Sequence, residues 1–185
     1  MKKLTTLLLT GVLALSLAGC STPSTPPAQN IPNPPVALTT TDTTVYAIKL
    51  NDNGTSLNSV QVGCGDSAMP VQMTAPNAYD DTDPVASINA AMMTLLSTTA
   101  TSFNTQGYQN PLSNQAMVIQ SVTQSGTNYT VKLNGSFTFG GVCDMPRVRA
   151  QVEETIKKAA LTGNTFTIDW NSGGQAAWNA AFSQQ

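Results

Sequence analysis

With three cysteines and no histidine in 185 residues, the reactive inventory of this chain rests on thiols and carboxylates. The missing imidazole removes the commonest general base and the commonest metal ligand, and with it any Ser-His-Asp or Cys-His site. Carboxylates can still act in pairs, as in glycoside hydrolysis, and the candidates are Asp66, Asp80, Asp81, Asp83 and Asp144. Asp83 and Asp144 stand where helices begin and read as caps, while Asp80-Asp81 reads as loop acid. The group 80, 81 and 83 lacks the spaced loop of an EF-hand, and a calcium site needs about six or more oxygens. No catalytic residue, metal or cofactor is expected.

The thiols say more. Lys2 and Lys3 open the chain, an apolar stretch runs from Leu7 to Leu17, and Leu17-Ala18-Gly19-Cys20 closes it with small residues before a cysteine. This is the lipobox pattern. It predicts that residues 1–19 are a secretion signal and that the Cys20 thiol carries a diacylglyceryl group, with palmitate-type chains that add ~0.8 kcal/mol of membrane affinity per buried methylene. The apolar run is too short to span a bilayer core, which takes ~20 residues. The expected location is the bacterial cell envelope, lipid-anchored to the cell membrane or the outer membrane. Ser21, rather than an Asp, follows the cysteine and gives no inner-membrane retention signal.

Export puts Cys64 and Cys143 in an oxidising compartment, where two remaining thiols are expected to pair. Their bridge would close a loop of about 80 residues, worth roughly 4 kcal/mol in the chain-entropy model. There is no Cys-x-x-Cys for a thioredoxin-type centre.

Residues 20–40 form the lipidated cysteine and a Ser/Pro-rich tether, whose six prolines and scarcity of large apolar groups leave too little surface to offset ordering entropy. Residues 41–185 have the length of one domain. Alternation predicts a strand over 43–50, turn chemistry follows at Asn51-Asp52-Asn53-Gly54, and short extended pieces come at 59–62 and 69–73. Asp83 reads as an N-cap with Pro84 at the first helical position, and Val85, Ile88, Met92 and Leu95 form one stripe to about residue 97. Residues 98–114 lack periodicity and read as a loop.

Two strands, 116–122 and 129–137, flank the turn at 124–128 as an antiparallel hairpin. Asp144 then heads a second helix with Val148, Val152, Ile156 and Ala159 on its buried side. Phe166, Ile168 and Trp170 alternate in a last strand, and Trp178 and Phe182, at i and i+4, suit a short docked helix. The expected fold is α+β, a single domain with a mixed sheet and two main helices on one face.

Charge narrows the partners. Without Lys2 and Lys3 the count is six basic against ten acidic residues, near −4. The basic cluster Arg147, Arg149, Lys157 and Lys158 lies on one helix beside Glu153 and Glu154 and reads as a solvated face, so nucleic acid is not an expected partner. Among the aromatics, Tyr46 and Trp170 read as sheet or core residues. Tyr79, Phe103 and Tyr108 fall in expected loops and are the candidate ligand contacts.

The run Val62-Gly63-Cys64-Gly65-Asp66-Ser67-Ala68-Met69-Pro70-Val71, then Asp83-Pro84 opening a helix that nears its end at Leu95-Leu96, resembles the first half of a GerMN domain. Gly126 before Tyr129-Thr130-Val131-Lys132-Leu133-Asn134 and Phe137, a helix ending near Ala160 and the strand Phe166-Thr167-Ile168 resemble the second half. The resemblance covers residues 43–174 and rests on packing and turn residues. It departs from the family in lacking the Gly-Pro that often follows the first helix and in carrying the 98–114 insertion instead. GerMN domains occur in sporulation, germination and other bacterial envelope lipoproteins, so the resemblance implies a non-catalytic interaction or scaffold role. The partner is then another envelope protein or, alternatively, a peptidoglycan or polysaccharide. A carboxylate-dependent glycan hydrolase is the third reading.

Overall fold

The structure is a computed structural model in which residues 40–104 and 107–183 are described. The expected signal, Cys20 and the tether up to residue 39 lie outside them.

Among the described residues, six strands and four helices follow in the order β1 (Thr40–Lys49), β2 (Val60–Gln61), β3 (Ser67–Tyr79), α1 (Pro84–Ser97), α2 (Ala100–Asn104), β4 (Ala116–Ser125), β5 (Asn128–Ser136), α3 (Asp144–Ala159), β6 (Thr165–Trp170) and α4 (Gly174–Ala181). Single 3-10 turns occupy Gly63–Gly65 and Pro111–Asn114. The α+β class is as expected. The strands divide, however, between two three-stranded sheets. One is antiparallel, in the order β1-β3-β2. The other is mixed, because β4 pairs antiparallel with β5 while α3 carries the chain over to a parallel β6. Alternation tells which residues face a core; it does not tell which strand edges meet.

One core joins both sheets. Val45 and Ala47 of β1, the α1 stripe Ile88, Met92 and Leu95, the α3 stripe Val148, Val152 and Ile156, and Tyr129, Val131 and Leu133 of β5 are buried together. Each large apolar side chain so enclosed adds about 1.5–3 kcal/mol. The other side of β1 is covered too, with Tyr46 and Ile48 packing against Ala68 and Ala150.

The outer edge of β1 is closed by a helix face. Tyr46 N donates to Thr155 Oγ1 at 3.0 Å and Tyr46 O accepts from Gln151 Nε2 at 2.9 Å, and both α3 side chains are fully buried. Ile48 and Gln109 then exchange backbone hydrogen bonds of 2.9 and 2.7 Å. These contacts satisfy strand groups that would otherwise be orphaned in the interior. At β6, Ile168 N donates to Gln175 Oε1 of α4 at 2.7 Å.

Three local expectations need attention. Asp83 caps α1 as read, its Oδ1 accepting from Val85 N at 2.9 Å. Asp144 is the first residue of α3 rather than its cap, because Cys143 takes the cap position; the Asp144 carboxylate reaches back to Gly140 N at 2.8 Å. Residues 98–114 are not a plain loop. They hold α2 and a 3-10 turn, elements too short to produce a periodic signal.

The Cys64–Cys143 disulfide is present, with Cα atoms 5.8 Å apart across a sequence separation of 79. It ties the turn between β2 and β3 to the start of α3.

Candidate functional site

Beyond β5 the chain continues as Phe137-Thr138-Phe139-Gly140, and its residues line two clefts in alternation, which makes it a wall between them. Phe137 and Phe139 face a cleft of about 370 Å³ that is also lined by Trp170, Met145, Ser136 and Asn171. Thr138 and Gly140 face a cleft of about 360 Å³ lined by Asn104, Gln109, Asn114 and Gln115, with Asp144 and Arg147 at its side. One cleft is aromatic and the other is rich in amides.

Two side-chain amides set the wall in position. Asn171 accepts from Gly135 N at 2.9 Å and donates to Gly135 O at 3.0 Å. Gln115 treats Thr138 the same way, accepting from its N at 2.7 Å and donating to its O at 3.1 Å. Gly135 has φ +152°, and a Cβ there would lie 1.8 Å from Ala116 O, so only glycine fits against β4.

On the aromatic side Phe137 is stacked between Trp170, at 4.6 Å between ring centres, and Phe139, at 5.3 Å. Trp178 and Phe182 of the C-terminal helix region meet each other at 4.7 Å in T-shaped contact and back this pile. Trp178 is fully buried, and its indole N–H donates to Glu153 Oε1 at 2.8 Å. Such pairs add about 0.5–1.5 kcal/mol each beyond area burial. Phe139 also meets Phe182 at 5.8 Å and stays partly exposed.

On the amide side, buried Asn110 donates to Thr98 O at 2.7 Å and accepts from Gln151 Nε2 at 3.2 Å. Gln151 Oε1 has no partner among the described residues. Arg147 bonds Asp66 Oδ2 through Nε at 2.7 Å and through its terminal nitrogen at 2.6 Å, and it meets Asp144 Oδ1 at 3.2 Å.

Of the five candidate carboxylates, only Asp66 and Asp144 meet among the described residues, while Asp80 and Asp83 have local partners and Asp81 lines the cleft beside Tyr79. Asp66 and Asp144 come together on Arg147, but their oxygens are already committed: Asp66 Oδ1 also accepts from Asn51 N at 2.9 Å, and Asp144 Oδ2 accepts from Gly140 N. Asp80 bonds Thr82, whose hydroxyl and then backbone N–H hold its carboxyl below the usual range. Asp83 caps α1. Among the described residues no three His, Cys, Asp or Glu side chains gather as metal ligands, and no helix is long and apolar enough to cross a membrane.

The three candidate ligand aromatics do not form one platform. Phe103 is fully buried in the core by α2, which corrects its reading as a contact, since a sealed ring has no face to offer. Tyr108 is partly buried and packs on that core. Tyr79 lies at the far end of β3, its hydroxyl donating to Asp42 O at 2.6 Å beside a separate cleft with Thr44 and Lys158. The aromatic cleft comes instead from Phe137, Phe139 and Trp170. Its signal in the sequence is the i, i+2 spacing of Phe137 and Phe139, which puts both rings on one side of an extended chain.

Elsewhere, Asp52 is buried and held well below the carboxylate range, first by the Ser56 hydroxyl and then by Lys49, the Ser56 N–H and Ser67, against the opposing effect of burial. Burial raises Tyr46, with Glu154 adding to the effect and Lys157 opposing it. Comparison of the chain with protein-family models, with curated proteins and with solved structures finds no match.

Proposed function

We propose that this chain is a lipid-anchored cell-envelope protein of GerMN type whose folded domain binds a partner rather than converting a substrate. The signal-and-lipobox order ending at Cys20 supports the anchor. The observation that carries the binding role is the wall at 137–140, clamped by Asn171 and Gln115 between an aromatic and an amide-rich cleft. Pre-formed concave sites with a few fixed polar groups are the usual form of ligand pockets. The carboxylates near these clefts spend their oxygens on Arg147 and on backbone N–H groups, which suits a structural task.

The test has two arms. Cells grown with labelled palmitate should label the wild-type chain and leave Cys20→Ala unlabelled. The detergent-solubilised full chain should be retained by envelope material, and its failure to hold either sacculi or any envelope protein would refute the binding role.

A second reading, a protein partner added as a strand, is favoured by β4. The outer edges of β1 and β6 are engaged by side chains, and β3 carries Pro70 and Pro76. β4 has neither proline nor charge, and Val118 on it is 53% exposed. An extra residue at Gln120 interrupts its register, so a docking strand would have only about four or five residues to pair with on either side.

A further inference from the structure

We propose that the two clefts are neighbouring subsites for a neutral glycan bearing acetamido groups, with sugar rings lying against Phe139 on one side of the wall and polar substituents meeting amides on the other. This assignment rests on the binding role proposed above and gives its ligand a chemical class.

Size is the first argument. At about 370 and 360 Å³, each cleft sits near the low end of the roughly 300–1,000 Å³ expected of small-ligand pockets. Each suits one or two small rings rather than a folded partner.

Charge is the second. Among the described residues no ionisable side chain lines the aromatic cleft. Among the described residues lining the amide cleft the only charged ones, Asp144 and Arg147, bond each other at 3.2 Å, and Arg147 also bonds Asp66 at 2.6 Å. Two carboxylates on one guanidinium leave this group at net −1, with its carboxylate oxygens already taken by Arg147 and by backbone N–H groups, so neither cleft offers a free cation to an anionic ligand.

Functional-group chemistry is the third. A sugar ring has an apolar face of C–H groups and a rim of hydroxyls, and an acetamido substituent adds a donor, an acceptor and a methyl. Phe139 lies between Phe137 and Phe182, at 5.3 and 5.8 Å, and remains partly exposed at the cleft, so it offers apolar surface there. Asn104, Gln109 and Asn114 are exposed at the amide cleft, and their side-chain amides make no hydrogen bond to other described residues. Each amide provides two N–H donors and a carbonyl acceptor, the complement of a hydroxyl or an acetamido group. A chain crossing the 137–140 wall meets these two surfaces in succession because the wall's side chains alternate.

The experiment titrates the detergent-solubilised full chain with N-acetylglucosamine trisaccharide and with cellotriose, which lacks the acetamido groups, following tryptophan fluorescence and heat. The first sugar should bind saturably and more tightly than the second. Phe139→Leu, which keeps apolar bulk but removes the ring, and Asn114→Ala on the exposed rim should each weaken binding about tenfold, an effect of the size that contact residues show on truncation. Thermal melts of both variants check that the fold is kept. Absence of binding by the acetylated sugar, or binding that neither folded variant weakens, would overturn the assignment. Equal affinity for cellotriose would overturn its acetamido part. Failure with both sugars while one envelope protein retains the chain would overturn the glycan ligand and leave the binding role standing.

Discussion

Asn171 grips Gly135 by both of its backbone polar groups, at 2.9 and 3.0 Å across 36 residues, and so aims the segment that leaves β5. Gln115 repeats the device three residues later at Thr138. An exposed hydrogen bond nets about 0.5 kcal/mol, the low end of the usual range, and Asn171 has φ +49°, where alanine is strained, so Asn171→Ala should lower stability by roughly 1–2 kcal/mol in urea unfolding. Gly135→Ala should cost more, about 3 kcal/mol or above, because the new Cβ meets Ala116 O and β4 must shift. Both variants should also loosen the two clefts.

Arg147 is the second junction. It reaches Asp66 across 81 residues, with the Asp66 side chain 2% exposed and its own 19% exposed. Removing one member of a fully buried pair costs about 3–5 kcal/mol; partial exposure of Arg147 lowers the expected cost of Arg147→Ala to about 2–3 kcal/mol. Thermal and urea melts should agree on the direction. An Arg147→Ala variant as stable as wild type would show that the ion pair adds nothing.

The disulfide binds the same two elements as this ion pair. Its sequence separation of 79 predicts roughly 4 kcal/mol of stabilisation through the unfolded chain. Reduction, or Cys64→Ala with Cys143→Ala, should therefore move the urea midpoint down strongly. Arg147–Asp66 keeps the turn against α3 in the reduced protein, so far-ultraviolet circular dichroism in dilute urea should stay near wild type.

Acid should weaken the β1 end through Asp52. The Ser56 hydroxyl foremost, with Lys49, holds this carboxyl below its unfolded value of about 3.9. A depressed folded value stabilises above the unfolded one and is lost as pH falls through the folded value. Stability should thus be level near neutrality and decline below about pH 4. Asp52→Asn should flatten that decline, as followed by unfolding midpoints between neutral and acid pH.

Much of the fold was readable because its signals are local. Asp83-Pro84 marks the start of α1, stripes of period 3.6 mark α1 and α3, and alternation marks β1, β5 and β6. The pairing of Cys64 with Cys143 was legible because they are the two cysteines that the lipobox reading leaves over. What sequence reasoning missed depends on distant contacts. The division into two sheets is decided by which edges meet, and the closure of β1 by Gln151 and Thr155 joins residues more than a hundred positions apart. Phe103 looked like a loop aromatic because α2 is too short for a helical stripe, yet it is core. The wall was hidden for a similar reason: the hydrogen bonds of Asn171 to Gly135 and of Gln115 to Thr138 span 36 and 23 positions.

The most direct test of the binding role is sedimentation of the detergent-solubilised full chain with purified, protease-treated sacculi, comparing wild type with Phe139→Leu, Asn114→Ala and Val118→Lys. The account predicts that wild type and Val118→Lys sediment with sacculi, while the two cleft variants stay in solution although they remain folded. If all four chains stay in solution and only Val118→Lys loses an envelope protein that the other three retain, the clefts are not the binding surface and the β4 edge is.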